Sequence, residues 1–484
     1  MVETRVEEDF LGQQAIPSDA LFGIQSIRAS QNFPDQTRFN IEWYKAMGAV
    51  KLACYQTCYK YYEALKSNLS PSEIPFRIIE EEKLKAMEQA AIEIMDGKWF
   101  EHFIVPATQG GAGTSINMNV NEIIANRALL ISGQQLGDYN YIDPIEHANI
   151  YQSTNDVVPT ALRVAAMRML QTLEGAIDHL RKKTEEAEKT YRDIPRLAFT
   201  QMQAAVPSTY GQLFSAYNDA LARDWWRVSK ALERIKVVNL GGSAIGTAAG
   251  VPQFFVMEAT PTLRLITQLP ITRGENLADV TQNQDSLVEV HAILKALAVN
   301  LEKISSDLRI LASNLNGSSE VKIPARQVGS SIMPAKVNPV IVEYVICEAH
   351  KVYANDQLIT SLSASGCLDL NAYIPSIGEA LLSSLQSLTN SCLTLADNLV
   401  DGLVIDQQKA ESRLFESPAV TTAIAVFTGY HQAAILAKYM TEKSCSVFEA
   451  NRALKIVTEE QLNKILDPAR LTKLGFNISD FNNL

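Results

Sequence analysis

The chain has no excess of positive charge: 43 Lys and Arg face 54 Asp and Glu over 484 residues, a formal net charge of −11. Such a surface is a poor partner for nucleic acid or an anionic membrane, although a local basic pocket stays open. Cysteine is scarce. The six cysteines, Cys54, Cys58, Cys347, Cys367, Cys392 and Cys445, form no CxxC pair and no Cys/His cluster with metal-ligand spacing. They read as buried or incidental thiols of a reducing compartment. With 23 Gly and 18 Pro the chain is neither fibrous nor of low complexity, and it shows no internal repeat or flexible linker. Long apolar runs are missing too. The uncharged stretches 237–257 and 417–437 are interrupted, the first by four glycines and Pro252, the second by Pro418, Tyr430, His431 and Gln432, so neither is expected to span a membrane. The start, MVETRVEEDFLGQQ, has no apolar stretch of signal-peptide type, and a cytoplasmic location is expected.

What is present is ample material for a core, with 47% hydrophobic and 20% charged residues. Apolar side chains recur at helical spacing through most of the chain, and alternating strand-like runs are short and few. Leu287, Val290, Leu294, Leu297, Leu301, Ile304, Leu308 and Leu311 fall three and four apart, predicting one helix over about 275–314. At about 1.5 Å per residue it would reach ~60 Å and need neighbours along its whole length. Further long helices are expected over 41–66, 160–191, 209–237, 340–363, 376–400 and 418–440. The chain is therefore expected to hold a mixed N-terminal domain over 1–148, a central bundle of long helices over 149–400 and a small helical C-terminal domain over 401–484.

Four segments conflict with a plain bundle, because they concentrate residues of poor helix propensity. Gly329-Ser330-Ser331-Ile332-Met333-Pro334-Ala335-Lys336-Val337-Asn338-Pro339 offers backbone N–H groups, hydroxyls, a cation and an amide, which suit a carboxylate; an ordinary Ser-rich loop with a solvated lysine fits the composition equally. The stretch from Thr108 to Asn119, TQGGAGTSINMN, is Gly-rich but lacks a Gly-Lys-Ser/Thr ending and is no P-loop. Gln152-Ser153-Thr154-Asn155-Asp156, before a long helix, makes either an anion site or a simple cap. Thr200-Gln201-Met202-Gln203 points into a pocket or forms a solvated turn. None carries the order of a Ser/His/Asp hydrolase or a His-rich metal set. The shared chemistry is uncharged hydrogen-bonding groups plus one lysine, suited to holding carboxylates.

Read as GSSIMPAKVNP, the first of these segments resembles the signature loop of the aspartase/fumarase superfamily. GGAGTSINMNVNE, HANIYQSTNDVVPTALR, TQMQAAVPSTYGQ, the opening TRVEEDFLG…PSDALFGIQSIRASQNF and NLGGSAIGTAAG resemble the same superfamily in the same order. The resemblance covers nearly the whole chain and within the superfamily is greatest to its aspartate ammonia-lyase branch. It implies an all-α homotetramer whose subunits pool their long helices in a shared core, with each active site built from three subunits. The implied substrate is a small dicarboxylate or amino acid, converted by anti elimination to fumarate without an organic cofactor; dependence on a divalent cation stays open.

By the same resemblance Ser330 is the catalytic base. Thr154, Thr200 and the Ser330–Ser331 loop hold the β-carboxylate, on which an aci-carboxylate forms. Lys336 and Asn338 bind the α-carboxylate, while Thr114, Ser153 and Asn155 surround the amino group. An ordinary serine is too weak a base, so backbone N–H groups and positive charge must stabilise its alkoxide. Gln201 stands where fumarases and some aspartases have histidine. Glutamine cannot act as a general acid, and ammonia, unlike the hydroxide of malate, leaves without one, which favours deamination of L-aspartate over hydration. The alternatives are a fumarate hydratase, a lyase for a modified aspartate, or a non-catalytic structural protein of the same fold. The chain departs from the superfamily pattern at Phe199, where arginine is usual, at 313–317, which replaces a Gly-Pro-Arg stretch, and at Tyr430-His431-Gln432. His147, near a second anion site of fumarases, reads as a satisfied surface histidine.

Overall fold

The computed structural model describes residues 3–315, 319–471, 473 and 475–479. Most are helical, and the only strands among them form four two-stranded pairs. The chain divides into two compact units, each drawn from three stretches of sequence.

The first unit comprises Met1–Glu174, Arg227–Ala296 and Lys351–Leu388. It opens with an antiparallel hairpin, Thr4–Asp9 with Gly12–Pro17. Helix Ile41–Asn68 starts where the Asn40 side chain accepts the Glu42 N–H, the usual device for an orphan N-terminal donor. It packs against helices Glu81–Met95 and Gln253–Thr267 and buries Trp43, Tyr44, Met47, Tyr55 and Cys58. Each such side chain stabilises the fold by roughly 1.5–3 kcal/mol relative to exposure. Behind it lies helix Thr114–Ile131, whose buried face mixes Ile116, Val120, Ile123 and Ile124 with Asn117, Asn119, Asn121 and Glu122.

The second unit comprises Gly175–Trp226, Leu297–His350 and Thr389–Leu484. Its hairpin, Pro195–Thr200 with Gln203–Thr209, contributes Leu197 to a cluster with Leu414, Val420, Ile424, Leu436 and Met440 from the C-terminal helices.

The apolar periodicity located the long helices well: Tyr210–Ile235 and Val340–Ala364 agree with expectation within two residues at each end. Seven of the eight heptad positions are buried, Leu311 being half-buried. The helix that carries them is shorter than expected, however. It spans Asp285–Leu311, 27 residues, or about 40 Å, because Leu277–Gln282 forms a separate turn-and-a-half capped by Asn276. Asn283 interrupts the chain in extended conformation, and Gln284 and Ser286 accept from the buried Arg163 guanidinium. The expected 418–440 helix is likewise divided into Thr421–Thr428 and Tyr430–Lys443 by Gly429, whose φ of 82° no right-handed helix can contain. The helix expected to begin at 160 begins at Thr154 and contains Pro159; the Asn155 carbonyl, which the missing proline N–H leaves free, accepts from Asn239 Nδ2 at 2.9 Å instead. Of the stretch 313–317, Asn316 and Gly317 lie outside the described residues. Among the described residues no helix is long and apolar enough to cross a membrane.

Candidate active site

The first unit brings Thr114 and the Ser153–Asn155 turn together. Gly113 precedes the 114–131 helix with φ of 93°, and a Cβ there would lie 2.9 Å from Val158 Cγ1. Glycine alone permits this backbone shape at so close an approach, which seats Thr114 beside the first turns of helix Thr154–Thr190. The Thr114 hydroxyl donates to the Gly111 carbonyl at 2.9 Å.

The second helix starts with a reciprocal cap. Asn155 N–H donates to Ser153 Oγ at 3.2 Å, and Ser153 N–H donates to Asp156 Oδ1 at 3.0 Å. Asp156 Oδ2 also accepts the Gly241 and Ser243 N–H groups at 3.2 and 3.0 Å, and the Asn155 amide donates to the Ala244 carbonyl at 2.8 Å. Asn239 closes this loop by donating to the Asn155 carbonyl at 2.9 Å. The NLGGSAIG segment is thus the brace that fixes Ser153, Thr154 and Asn155 at a helix N-terminus, where backbone and dipole favour an anion.

Beneath the turn lies a group that sequence reasoning missed. Lys51, fully buried, donates to Asn117 Oδ1 and Gln152 Oε1 at 2.7 Å each and to Asn149 Oδ1 at 3.3 Å. Asn117 Nδ2 in turn donates to Asn149 Oδ1 at 3.0 Å and to Thr154 Oγ1 at 3.3 Å. Burial pulls the Lys51 ammonium down to about 7, against the opposing pull of Cys54 and Asp156. A signal was available: Lys51 shares a helical face with Met47, Cys54, Tyr55 and Cys58, all fully buried, and a lysine there demands polar partners.

In the second unit, Ser330, Ser331, Lys336 and Asn338 share one largely exposed loop. The loop is tied at its neck: Gly329 N–H donates to the Lys336 carbonyl at 2.9 Å, and Asn338 Nδ2 donates to the Gly329 carbonyl at 2.7 Å. Ser330 Oγ accepts two backbone N–H groups, from Ile332 at 3.2 Å and Met333 at 3.1 Å. These are the donors an alkoxide on that oxygen needs. Thr200 and Gln201 sit elsewhere in the unit, at an exposed hairpin tip. Thr200 pairs with Gln203, and the two tip residues, Gln201 and Met202, both have positive φ, 52° and 61°. This is a two-residue turn of the primed type, which costs about 1–2 kcal/mol for each residue that is not glycine.

Phe199, where the superfamily usually has arginine, turns into the C-terminal cluster and lies 4.9 Å beneath the Arg413 guanidinium, which pairs with the buried Glu320 at 3.2 Å. The substitution therefore belongs to the packing of this unit. His147 is buried, not at the surface as expected, because its Nδ1 accepts the Asp143 N–H at 3.0 Å inside a tight turn. A Ser–His–Asp row does exist, with His291 between Ser384 at 2.9 Å and Asp356 at 3.1 Å. Ser384 is fully buried and donates to the Ala380 carbonyl at 2.8 Å, so this row is a structural tie and no nucleophile. Among the described residues, no three His, Cys, Asp or Glu side chains gather as a metal would require.

Comparison with known proteins covers nearly the whole chain. Residues 12–354 match the family model described as "Lyase", and residues 420–473 match "Fumarase C C-terminus". The aspartate ammonia-lyase of Bacillus subtilis is 37% identical over 475 residues, covering 98% of this chain and 97% of its own. That of Escherichia coli is 36% identical over 472 residues, 96% of each chain. Among solved structures, the fumarate lyase:delta crystallin from Brucella melitensis bound to cobalt superposes with a TM-score of 0.89 at 36% identity, over 98% of this chain and 100% of that one. The recombinant class II fumarase from Schistosoma mansoni gives 0.85 at 26% identity, over 96% and 98%. Agreement this extensive, in a chain that also carries six characteristic segments in order, has one explanation: the protein is a lyase and belongs to the aspartase/fumarase superfamily.

Proposed function

We propose that the protein is a carbon–nitrogen lyase that deaminates L-aspartate reversibly to fumarate and ammonia. Near full-length identity to aspartate ammonia-lyases supports the reaction, and the pair of backbone N–H groups on Ser330 Oγ supports the assignment of the base. In this reading the Ser330 alkoxide removes a proton from Cβ, and the freed electron pair moves onto the β-carboxylate as an aci-carboxylate. Donors from Thr154, Thr200 and Ser331 stabilise that charge as it develops. The pair then returns to form the double bond while the C–N bond breaks, and the ammonium departs as neutral ammonia. Lys336 and Asn338 hold the α-carboxylate, and Thr114, Ser153 and Asn155 enclose the amino group. Gln201 contributes hydrogen bonds only, since its amide has no proton to give up.

We read the assembly as a homotetramer in the cytoplasm, with sites shared by three subunits. Supporting this, Val299, Ile310, Leu358 and Leu393 stand exposed on long helices of the single chain, an arrangement that a partner helix would cover. The reaction needs no organic cofactor, and any activation by a divalent cation is read from assays with and without magnesium. The deciding experiment follows the ultraviolet absorbance of fumarate formed from L-aspartate, with L-malate in parallel. Turnover of aspartate alone is the expected result. Turnover of malate would make the protein a hydratase, and silence with both would point to a modified aspartate.

A further inference from the structure

Lys51 Nζ is the donor in both of its short bonds. Its two bonds of 2.7 Å, to Asn117 Oδ1 and Gln152 Oε1, need two hydrogens, which the ammonium and the neutral amine both possess. They fix which way each amide faces. With its oxygen taken by Lys51, Asn117 must present its nitrogen to Asn149 and to Thr154 Oγ1. The Thr154 oxygen is thereby an acceptor towards the protein interior, and its own hydrogen is left for the half-exposed side of the turn. Gln152 is locked the same way, its Nε2 donating to the Ala148 and Ile150 carbonyls at 3.3 and 3.2 Å, so the residue before Ser153 cannot rotate. Every donor direction from Nζ to the hydroxyl follows from the first, and each bond in such a row polarises the next.

We propose that Lys51 is a positioning residue for the elimination reaction, acting through Asn117 to make the Thr154 hydroxyl an obligate donor to the substrate carboxylate. This rests on the reading of Thr154 as a carboxylate ligand. The row has a consequence that simple packing would not have: reversing the polarity of its middle member should be as harmful as removing its start. Asn117→Asp has almost the same shape and gives Lys51 an ion-pair partner, yet it presents an acceptor to Thr154 and draws the hydroxyl hydrogen away from the substrate.

The test is a set of double-variant cycles on kcat/KM for L-aspartate, using Thr154→Val, Lys51→Met and Asn117→Asp in the intact oligomer. Each single change is expected to lower kcat/KM by about tenfold or more, as loss of one preorganised donor does. In the Thr154→Val background, Lys51→Met and Asn117→Asp are expected to cost less than about twofold further, since coupled residues are not additive. If Thr154→Val leaves kcat/KM unchanged, the carboxylate reading of Thr154 is wrong. If Thr154→Val is impaired while Asn117→Asp is as active as the parent, that reading stands and the Lys51 row is overturned. Losses that simply multiply in the double variants overturn it as well. Should Lys51→Met fail to fold, Asn117→Asp decides alone.

Discussion

Gly329 and the Lys336 carbonyl are in such close contact that a Cβ on Gly329 would lie 2.5 Å from that oxygen and 2.9 Å from the Asn338 nitrogen. The neck of the loop that carries Ser330 thus admits glycine and nothing larger, and Gly329→Ala must open it. Because the loop is largely exposed, we expect Gly329→Ala to lower kcat/KM by about a hundredfold through misplacement of the reacting groups. The melting temperature should move by less than about 2 °C, which differential scanning calorimetry would check.

Ser330→Ala is the direct counterpart. It removes the proposed base and leaves the neck bonds of Gly329 and Asn338 in place. Turnover should fall by at least about 10³-fold, with an unchanged elution volume in size-exclusion chromatography. Near-normal fumarate release would take Ser330 out of the mechanism.

Phe199→Arg restores the residue usual in the superfamily but places a second guanidinium beside Arg413, in a spot that already stacks one cation on the ring. Loss of about 1–3 kcal/mol of stability is expected, without a gain in activity. Chemical denaturation together with the aspartate assay would show it, and an enhanced kcat would instead assign this position a part in catalysis.

Acid stability should depend on Glu93. Arg127 donates to both of its oxygens, at 2.6 and 3.0 Å, and Trp99 Nε1 adds a third bond at 2.6 Å. The hydrogen bond from Arg127 leads in holding this carboxyl below its ordinary value. A carboxylate lowered in the folded state stabilises the protein above the unfolded pKa, and that stability is lost as pH falls through the folded value. Glu93→Gln should therefore cost about 1–3 kcal/mol at pH 7. Its deficit should shrink progressively in unfolding curves recorded below about pH 4.3, the ordinary glutamate value.

The buried Ser384–His291–Asp356 row should behave as structure. Ser384→Ala deprives the His291 ring and Asn355 Nδ2 of a partner and should lower stability by about 1–3 kcal/mol. A serine-directed fluorophosphonate should leave Ser384 unlabelled in the native protein, as mass spectrometry would report.

The long helices were legible because their evidence is repeated: seven buried heptad side chains of the 285–311 helix each carry the same message. Its start was not, because Asn283 and Gln284 end the preceding turn through contacts with Asp279 and the distant Arg163, and one chain does not display distant partners. The signature loop and the Ser153–Asn155 turn stood out by poor helix propensity, which is a local property. Lys51 escaped although its helical face is otherwise apolar, because the polar partners such a lysine demands, Asn117, Asn149 and Gln152, come from distant positions. Phe199 was legible as a departure from the superfamily, yet its meaning came from Arg413, more than two hundred positions away.

The hairpin tip at Gln201–Met202 acts as a ruler. Thr200 and Gln203 close the ladder on either side of a two-residue turn, just beyond a bulge between Leu197 and Phe199 where the returning strand already carries one extra residue. Adding one residue between Thr200 and Gln203 would turn the tight primed turn into a three-residue loop and move Gln201 from its present place. Length at the tip is therefore expected to matter as much as side-chain identity, since an inserted residue would displace Gln201 while the bulge below it holds the strands in place.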